Sequence, residues 1–568
     1  MQKYLKWISN ETSKTEVELI SKKHALSHII AHILSSRDIS NDKEIYSYLN
    51  PKLSNLSDPF LLENVEVAVS RIWEAKDKNE NVLIFGDYDV DGICSSAILT
   101  QILRKLCIHV DVFLPERLKD GYGLTKNALN HVLEKYDVKL LITVDCGTNS
   151  VDTINFAQSK DIDVIVTDHH EINHANTNNL TIVNPKLGNI RNLDVLCGAG
   201  VVFKLLHALL KSGRRNNREE AFGVDLKEIL DLVALATIAD VVPITEENRI
   251  LVYHGLEQLK KTKRKGIFSL IQKISNNPQI TTDFCGFQLG PRINAAGRMS
   301  SPMLAFDLLI SDSIEESETL AHELDDLNKT RKELEGLIFK DAVRKIDDKI
   351  SSYKGLVVSD KTWHLGIVGI VASRISRHYN RPAIVLAEDS EGICKGSARG
   401  IIGFDLLNAL TECEEFLEKY GGHSVAAGLQ LHSKNFDIFR EKFNEVCNSQ
   451  LKNEHFDNYL IIDKWLEDEV LDINFFYDIS KLAPFGEGNK EPVFAISKAK
   501  LNQEPQKVGD SHLKIELIWN RQFLKAIAFN FSYLDIPNDS FDLAFTLNQN
   551  IWMGKKSLQL KVVAIRPS

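Results

Sequence analysis

Short apolar runs alternate with polar turns and helical stretches from residue 82 onward. The runs are VLIF before Asp87, VDVFL after His109, KLLITV before Asp145, DVIVT before Asp168 and TIV before Asn184. Nearly continuous, β-branched runs are typical of strands that are covered on both faces, and the stretches with helical spacing between them supply the crossovers. The pattern predicts a parallel, doubly wound α/β domain.

Aspartates directly follow three of the predicted strands. Asp87, Asp145 and Asp168 each stand at the end of an apolar run. Because all strands of an open parallel sheet have their carboxyl ends at the same edge, we expect these three side chains to converge. This edge of the sheet is therefore the candidate functional site.

The rest of the chain divides according to its hydrophobic pattern. Residues 313–350 have leucines and isoleucines at helical spacing and charged residues elsewhere, which predicts a long connector helix. A second α/β unit begins at residue 355, and closely spaced alternating strands after residue 456 predict a small β-barrel. The predicted segments are an N-terminal helical segment (1–75), a first α/β domain (76–311), the connector (312–352), a second α/β domain (353–452) and an OB-like barrel (453–568).

Two further predictions concern local structure. The segment GPRINAAGRMSSP, residues 290–302, is predicted to be a glycine-containing turn with two arginines. In the barrel, Trp519 shares its alternation with Leu513, Ile515 and Leu517. We therefore expect Trp519 to lie in the core of the barrel rather than to stack on a nucleobase.

Composition narrows the class of protein. A chain of 568 residues is too long for a single core, and 43% hydrophobic with 26% charged residues is typical of globular domains. No apolar run reaches the roughly 18 residues that a membrane-spanning helix needs, and the N-terminus lacks the apolar centre of a signal peptide, so we expect a cytoplasmic protein. Eight cysteines without a CxxC pair argue against a disulfide framework and a zinc knuckle. The net charge of −10 argues against a protein that coats nucleic acid through bulk charge.

The segment GDYDVDG, residues 86–92, could begin either a calcium loop or a metal-binding active site. A calcium loop of the helix-loop-helix type needs a glutamate at its twelfth position, but with Asp87 as the first position the twelfth residue is Ile98. Such a loop also needs a preceding helix, whereas VLIF predicts a strand there. On an extended segment Asp87, Asp89 and Asp91 point the same way and can offer carboxylates to neighbouring cations. The segment therefore favours the active-site interpretation.

Other residues can complete such a site. Asp145 can bridge two cations, and His169 and Asp240 can complete the second one. Carboxylates with one or two imidazoles favour Mn²⁺ or Mg²⁺ over zinc, and two such cations roughly 3.5–4 Å apart support phosphoester hydrolysis. The alternative is structural, because Asp87 or Asp168 could cap a helix and a lone His169 could be a hydrogen-bonded core residue. The hypothesis therefore depends on the whole constellation.

The motifs GDYDVDG, TVDCG, TDHH and LATIADVVP occur in the order typical of the DHH phosphoesterase superfamily. With GPRINAAGRM, GSARG, GGHSVAAG and LAPFGEGNKEP added, the chain from about residue 50 onward resembles those members that are single-strand-specific exonucleases and degrade DNA from the 5′ end. The resemblance implies a nuclease of DNA repair and recombination. Residues 76–311 would form its catalytic domain, residues 353–452 its DHH-associated domain, and the barrel would bind nucleic acid.

The resemblance also implies catalytic roles for single residues. Asp87 and Asp168 would orient or support the metal ligands, and His170 would contact the scissile phosphate. Two cations, Mn²⁺ or Mg²⁺, would occupy each active site. The ligands implied for them are Asp89, Asp91, Asp145, His169 and Asp240.

Further residues are implied at the nucleic acid. The glycines around His423 would let backbone amides approach the strand closely. The side chains implied are Asn294 and Arg298 (or Arg292) near the phosphate, Ser397 and Arg399 at the 5′ end, and Arg117 as a weaker candidate for that end.

This chain departs from the family pattern at three positions. Many relatives have a histidine where this chain has Phe85, so one cation would have fewer ligands here. Lys490 replaces a usual proline in a loop, and Gly400 replaces a common serine. The last two departures concern a loop and a peripheral contact rather than the chemistry.

The resemblance implies a protein that acts on single-stranded DNA together with a helicase and a single-strand-binding protein, without a membrane. The sequence leaves the oligomeric state open, and we expect a monomer. Two alternatives stay open. One is a DHH phosphodiesterase for short oligonucleotides or cyclic dinucleotides, although such relatives usually lack a terminal barrel. The other is a non-catalytic DHH scaffold in a replication assembly, although such relatives have lost metal ligands that are present here.

Overall fold

A computed structural model describes residues 6–9, 12–116, 119–121, 123–172, 180–188, 190, 192–347, 350, 352–452, 456, 459–509, 512–531, 536–537, 539–552 and 555–568. The chain forms two compact units. The smaller unit consists of Met1–Ser57, Val241–His254 and Asn458–Ser568, and the larger one of Asp58–Asp240 and Gly255–Asp457. Within the described ranges, no helix is both long and apolar enough to cross a membrane.

Strands and helices alternate through most of the larger unit, and strands dominate the end of the chain. The strands are β1 (Lys6–Ser9), β2 (Val82–Gly86), β3 (Val110–Phe113), β4 (Leu140–Val144), β5 (Asp163–Thr167), β6 (Thr181–Val183), β7 (Leu356–Asp360), β8 (Ala383–Glu388), β9 (Ile393–Arg399), β10 (Lys419–Gly422), β11 (Ala426–His432), β12 (Tyr459–Ile462), β13 (Lys464–Trp465), β14 (Phe494–Leu501), β15 (Gln506–Val508), β16 (His512–Trp519), β17 (Gln522–Phe529), β18 (Phe541–Trp552) and β19 (Lys555–Pro567).

The helices are α1 (Lys14–His24), α2 (His28–Ser36), α3 (Asp42–Leu49), α4 (Val65–Asp77), α5 (Val90–Lys105), α6 (Lys126–Lys135), α7 (Val151–Gln158), α8 (Gly198–Arg215), α9 (Leu230–Ala239), α10 (Glu246–Leu259), α11 (Lys265–Ile274), α12 (Thr282–Phe284), α13 (Gly290–Met299), α14 (Met303–Ile310), α15 (Ile314–Asp347), α16 (Leu365–Tyr379), α17 (Leu406–Thr411), α18 (Phe436–Gln450) and α19 (Ile473–Ile479).

The first sheet of the larger unit has the order β3-β2-β4-β5-β6, and all its neighbouring strands are parallel. Strands β2 and β4 are buried along their whole length, as expected where helices cover both faces of a sheet. The alternate residues Leu83 and Phe85 of β2 pack with helices α6 and α7. The prediction of a parallel, doubly wound α/β domain is confirmed.

The second sheet has the order β10-β11-β9-β8-β7, in which only β7 and β8 are parallel. Helix α16 contacts β8 and β9 on one face, and α17 and α18 contribute to the core on the other. Helix α15 is 34 residues long and buries Leu324, Ile338 and Ile346 among its apolar positions. The predicted long helix and the second α/β domain are both present.

Residues 290–299 form helix α13 instead of the predicted turn. The helix directly follows a π-helix, Cys285–Leu289, and Pro291 occupies its first turn, where the missing N–H of proline is tolerated. Gly297 allows close packing, since a Cβ there would lie 2.4 Å from the backbone oxygen of Tyr88. The turn prediction is wrong because glycine and proline serve packing and the helix start here.

The smaller unit contains a closed barrel at the end of the chain. Its strand order is β13-β14-β18-β19-β17-β16-β15, and an additional pairing of β14 with β16 closes it. Trp519 is 4% exposed and lies in the core, which confirms the prediction for this residue. Ile20, Ile30 and Leu34 of helices α1 and α2 belong to the same core. The OB-like barrel is therefore present, and the N-terminal helices pack against it.

Candidate active site and metal centre

The carboxyl ends of three parallel strands meet at one edge of the first sheet. Asp87 follows β2, Asp145 follows β4 and Asp168 follows β5, and all three are at most 3% exposed. Helix α5 begins at the same edge with Asp89 as its N-cap, and helix α9 ends at Asp240, its C-cap. The topology thus brings together carboxylates that are up to 153 residues apart in the chain.

Among the described residues, three groups of ligand atoms are close enough to hold a cation, with the atoms of each group within 4.8 Å of one another. Nε2 of His169 lies 3.2 Å from Oδ1 of Asp145 and 3.5 Å from Oδ2 of Asp240. Asp145 and His169 each belong to two of the groups. The groups are Asp87 with Asp89 and Asp145, Asp91 with His169 and Asp240, and Asp145 with His169 and His170.

Asp91 is held by the start of helix α8. Its oxygens accept hydrogen bonds from the backbone N–H groups of Gly198 at 2.6 Å and Ala199 at 2.7 Å, a favourable place for a carboxylate. A Cβ at Gly198 would lie 2.7 Å from Cβ of Asp145, so a glycine lets the two carboxylates approach. Gly198 was not identified from the sequence, because nothing polar marks it within an apolar helix.

The backbone is unusual beside two of the carboxylates. Asp145 has a φ of 61°, in the left-handed region that few aspartates adopt. Val241, which directly follows Asp240, has a φ of 60°, which is rare for a β-branched residue. Strained positions of this kind cluster at functional sites, where they direct a side chain. We infer that the backbone at these two positions helps to direct the side chains of Asp145 and Asp240.

Asp168 organises the two histidines that follow it. Its Oδ1 accepts the backbone N–H of His169 at 2.8 Å and lies 2.7 Å from Nδ1 of His170. Its Oδ2 accepts the backbone N–H of Thr148 at 3.0 Å. Asn184 donates to the backbone oxygen of His170 at 2.9 Å. Asn184 was not identified from the sequence, although its position after strand β6 was an available signal.

The clustering of carboxylates changes their acidity. Burial, and then the charge of Asp89, raises the pKa of Asp87 to about 8. Burial, and then the charge of Asp91, raises the pKa of Asp240 to about 9. Burial, and then the charge of Asp91, also raises the pKa of Asp145 well above its ordinary value. These carboxyl groups therefore cannot all be ionised together without a compensating positive charge.

The two histidines differ in charge. Burial, and then the charge of His170, lowers the pKa of His169 to about 3. Burial acts in the same direction on His170, but the hydrogen bond and charge of Asp168 outweigh it and raise the pKa of His170 to about 9. Since a neutral imidazole is the form that binds a metal, His169 is suited to ligation, whereas cationic His170 is suited to contact an anion.

Two buried atoms at the centre of the site fit a divalent cation. Oδ1 of Asp145 and Nε2 of His169 face each other, and neither has a hydrogen-bond partner in the part of the chain that the structure describes. Buried polar atoms without partners are rare, and a nearby cation would satisfy both. A ligand set of carboxylates and imidazoles suits Mn²⁺ or Mg²⁺.

The residues of helix α13 differ in their surroundings. Oδ1 of Asn294 accepts the backbone N–H of Val90, the residue between Asp89 and Asp91, at 3.1 Å. Arg298 donates to a backbone oxygen at the start of α16 at 3.4 Å. Arg292 donates from Nε to Oδ1 of Asp325 on α15 at 2.9 Å. Arg292 thus forms an ion pair with Asp325, whereas Asn294 and Arg298 form hydrogen bonds with the backbone at the start of α5 and α16.

Ser397 and Arg399 lie on the same face of strand β9 and point to helix α16. Nε of Arg399 donates to Oγ of Ser373 at 3.0 Å. A Cβ at Gly369 would lie 3.1 Å from Oγ of Ser397, so the helix approaches closely where it has no side chain. The structure therefore places this pair beside the first turns of α16, which also contact Arg298.

The remaining sequence predictions have different outcomes. His423 is exposed in the turn between β10 and β11. Arg117 lies outside the described residues. Phe85 stacks on Phe113 in the core, with ring centroids 5.6 Å apart, and offers no ligand atom. The candidate metal groups form without a side chain from the position of Phe85.

Three protein-family models match the chain. The DHH family N-terminal domain matches residues 81–237, the DHHA1 domain residues 352–449 and the RecJ OB domain residues 462–564. These models cover the parallel sheet, the mixed sheet and the barrel, in that order.

Relatives and solved structures agree with these models. The single-stranded-DNA-specific exonuclease RecJ of Bacillus subtilis is 33% identical over 98% of this chain and 70% of its own length. The protein of the same name from Haemophilus influenzae is 35% identical over 95% of this chain and 96% of its own length. The crystal structure of RecJ in complex with Mn²⁺ from Thermus thermophilus matches all of this chain and 80% of that chain, with a TM-score of 0.85 and 27% identity. The chain belongs to the RecJ family of single-stranded-DNA-specific exonucleases.

Proposed function

We propose that this chain is a single-stranded-DNA-specific exonuclease that removes nucleotides from the 5′ end with the help of two divalent cations, Mn²⁺ or Mg²⁺. Family membership supports the substrate and the reaction class. The observation that supports the cations most directly is a pair of buried atoms, Oδ1 of Asp145 and Nε2 of His169, that lie 3.2 Å apart and have no hydrogen-bond partner among the described residues. DNA repair and recombination are the processes that this activity would serve.

The carboxylates divide between two cation positions. Asp89 and Asp145, with Asp87 beside them, would hold one cation. Asp91, His169 and Asp240 would hold the other. Two bound cations activate a water molecule and stabilise the leaving oxygen of a phosphodiester. Asp145 is suited to bridge them, because it belongs to two of the three ligand groups. The turns of the sheet would fix these ligands before substrate arrives.

Other residues would hold the DNA. Asp168 fixes the ring of His170 through a 2.7 Å contact, so that this ring can meet the scissile phosphate. Arg298 or Arg292 would contact that phosphate, and both already have partners in this structure, Gly366 for Arg298 and Asp325 for Arg292. Ser397 and Arg399 would hold the 5′ end, with Asn294, His423 and Arg117 as further contacts.

The family resemblance is the only support for the two protein partners that we propose. A helicase would supply single strands, and a single-strand-binding protein would deliver them. A monomer in the cytoplasm is the state in which we expect the chain to work.

A nuclease assay tests the proposed function. The full chain is incubated with Mn²⁺ and single-stranded or duplex DNA that carries a label at either its 5′ or its 3′ end, with chelator as the control. We expect mononucleotides to be released first from the 5′ end of single strands only, and no release in chelator. Release from the 3′ end first, equal attack on duplex DNA or activity in chelator would contradict the proposal.

A further inference from the structure

The backbone directly after Asp240 is strained. Asp240 ends helix α9, and its carboxylate belongs to the ligand group with Asp91 and His169. The next residue, Val241, has a φ of 60°, and a strained backbone persists only where surrounding contacts hold it. Because Asp240 and Val241 share a peptide bond, the contacts that hold the following segment also limit the directions that the Asp240 side chain can take.

A loop far along the chain contacts this segment. Residues 482–490, which we call the Gly488 loop, belong to the smaller unit, as does the segment Val241–His254. The backbone N–H of Ile244 donates to the backbone oxygen of Glu487 at 2.7 Å. A Cβ at Gly486 would lie only 2.4 Å from Cδ1 of Ile244. Glycine at this position therefore lets the loop lie directly against Ile244.

A second glycine makes the other contact of the loop. Gly488 has a φ of 69°, in the left-handed region that glycine adopts without strain. A Cβ there would lie 3.0 Å from Cβ of Pro243 and 3.2 Å from Cγ2 of Thr245. The loop thus packs against the third, fourth and fifth residues after Asp240.

Hydrogen bonds within the Gly488 loop fix its shape. Asn489 is 2% exposed, and its Nδ2 donates to the backbone oxygens of Leu482 at 3.1 Å and Pro484 at 2.7 Å. Its backbone N–H donates to the oxygen of Gly486 at 3.2 Å, and the N–H of Gly486 donates to its oxygen at 2.9 Å. The loop therefore satisfies its own buried polar groups.

A buried arginine joins the loop to the helix that follows the segment. Arg249 lies in the first turn of α10 and is 3% exposed. Its Nη2 donates to the backbone oxygen of Ala483 at 2.9 Å, and its Nε donates to that of Tyr48 at 2.8 Å. Since hydrogen bonds from a charged donor are stronger than neutral ones, the loop and the helix are held together at a second place.

We propose that the Gly488 loop positions Asp240 for its cation by fixing the backbone that follows this ligand. The ligand groups found among the described residues include none from the loop, so the loop acts through the segment after Asp240 and does not bind the cation itself. The inference rests on the proposed function, because it assumes that Asp240 binds a divalent cation. Residues that orient a metal ligand typically contribute roughly 10- to 100-fold to metal affinity.

Binding of Mn²⁺ to the full chain without DNA tests the Gly488 loop. Titration calorimetry gives the Kd of each cation, and Asp240→Asn identifies the cation that Asp240 would hold. Gly488→Ala places a Cβ against Pro243 and should raise the Kd of this cation about 10-fold or more. The Kd of the other cation should stay as in the parent. A loop that only stabilises the fold would lower the melting temperature in chelator without this change in Kd.

Gly509→Ala is the matched control. Gly509 also lies in the smaller unit and has a φ of 60°. Apart from its chain neighbours, no described atom lies within 4 Å of the place that its Cβ would occupy. Alanine is strained at both positions, so both variants should melt at a lower temperature than the parent. Only Gly488→Ala should bind Mn²⁺ more weakly, because only its new side chain presses on the segment after Asp240.

A pair of substitutions tests the contact with Ile244. Gly486 lacks the positive φ of Gly488, so Gly486→Ala adds a contact with little backbone strain. It should weaken binding of the same cation by less than Gly488→Ala does, since the end of the Ile244 side chain can move. Ile244→Val removes Cδ1 and should restore the parental Kd in the double variant.

Three outcomes would each overturn the inference about the Gly488 loop. They are an unchanged Mn²⁺ Kd in Gly488→Ala, an equal rise in Gly509→Ala, and a rise in Gly486→Ala that Ile244→Val does not reverse. Nucleotide release by the parent chain is measured in parallel. If the parent binds Mn²⁺ and releases nucleotides while one of these outcomes occurs, only the role of the loop is lost. A parent chain that binds no Mn²⁺ would contradict the proposed function as well.

Discussion

The parallel sheet around β2, β4 and β5 and the mixed sheet around β9 lie in the same compact unit but present different side chains. The parallel sheet gathers Asp87, Asp145 and Asp168 in the turns after its strands. The mixed sheet presents Ser397 and Arg399 within a strand, two residues apart on one face. The first arrangement suits cations, and the second suits an anion.

The difference lies in how each sheet brings residues together. The carboxylates are distant in sequence and meet because parallel strands end at one edge. Ser397 and Arg399 are neighbours by alternation alone, and helix α16 completes their surroundings through Ser373. We infer that the parallel sheet holds the cations and the mixed sheet holds the strand, and three experiments can break or sharpen this division.

The largest effect should come from Asp145→Asn. This substitution keeps the shape of the side chain, and asparagine tolerates the left-handed backbone of this position, where φ is 61°. If Asp145 is the ligand shared by two cations, as proposed above, mononucleotide release from single-stranded DNA should fall by more than about 100-fold. That is a larger loss than the roughly 10- to 100-fold expected for a residue that only supports a ligand. The fold should persist, as circular dichroism would report.

Exposed Asp152 on helix α7 offers the matched control for this change. Asp152→Asn should leave the nuclease rate unaltered. In chelator, Asp145→Asn should melt at a higher temperature than the parent, since it removes one buried carboxyl from a repelling cluster. A variant that still releases nucleotides at the parental rate would show that Asp145 is not a shared ligand.

A smaller effect is expected from Arg399→Ala. The guanidinium donates from Nε to Oγ of Ser373 and from Nη1 to the backbone oxygen of Ala398. We expect the positive charge that these bonds position to hold the 5′ end of the strand. Losing a hydrogen bond to a charged group costs about 1.5–3 kcal/mol, so KM for single-stranded DNA should rise about 10- to 100-fold. The rate at saturating DNA should change little, because the cations are untouched.

Arg377→Ala is the control for the arginine. Arg377 lies on α16 and donates to the backbone oxygen of Ser373, four residues earlier. Its loss should leave both kinetic constants as they are in the parent. If Arg399→Ala instead lowered kcat at constant KM, Arg399 would act on the chemistry, and the division between the two sheets would fail.

The sequence predicted the parallel sheet well, because its signals are local and strong. Each apolar run became a strand, and the aspartates that follow Val144 and Thr167 lie at one edge, as the topology requires. The long helix α15 was equally visible through its apolar spacing. The local pattern and one topological rule were sufficient to predict most of the parallel-sheet domain and the convergence of its carboxylates.

Other features depend on contacts that local pattern does not encode. The segment of helix α13 was predicted to be a turn because it contains glycine, which is common in turns. In the structure, Gly297 instead allows the helix to pack closely against Tyr88. The sequence does not distinguish Gly198 from other helical glycines. Its role is visible only in the structure, where a Cβ at Gly198 would lie 2.7 Å from Cβ of Asp145. The packing of helices α1 and α2 into the barrel joins the two ends of the chain, and no local signal in either end indicates it.

The smallest effect concerns pH and separates the acidic sheet from the rest of the fold. In metal-free protein the pKa values of Asp87 and Asp240 are about 8 and 9, above the roughly 3.9 of an unfolded aspartate. Between these values the folded state binds more protons than the unfolded state, so the free energy of unfolding falls as pH rises. His170, with a pKa of about 9, also lowers the free energy of unfolding as pH rises above about pH 6.5. His169 adds no further pH dependence there, because its pKa in the folded state is about 3.

We expect the melting temperature in chelator to be several degrees lower at pH 8.5 than at pH 6.5. Mn²⁺ should stabilise the fold more strongly at the higher pH, since the cation replaces the protons. Asp145→Asn should flatten this dependence, and a Mn²⁺ effect that is equal at both pH values would contradict the assignment of the carboxylates to the cations.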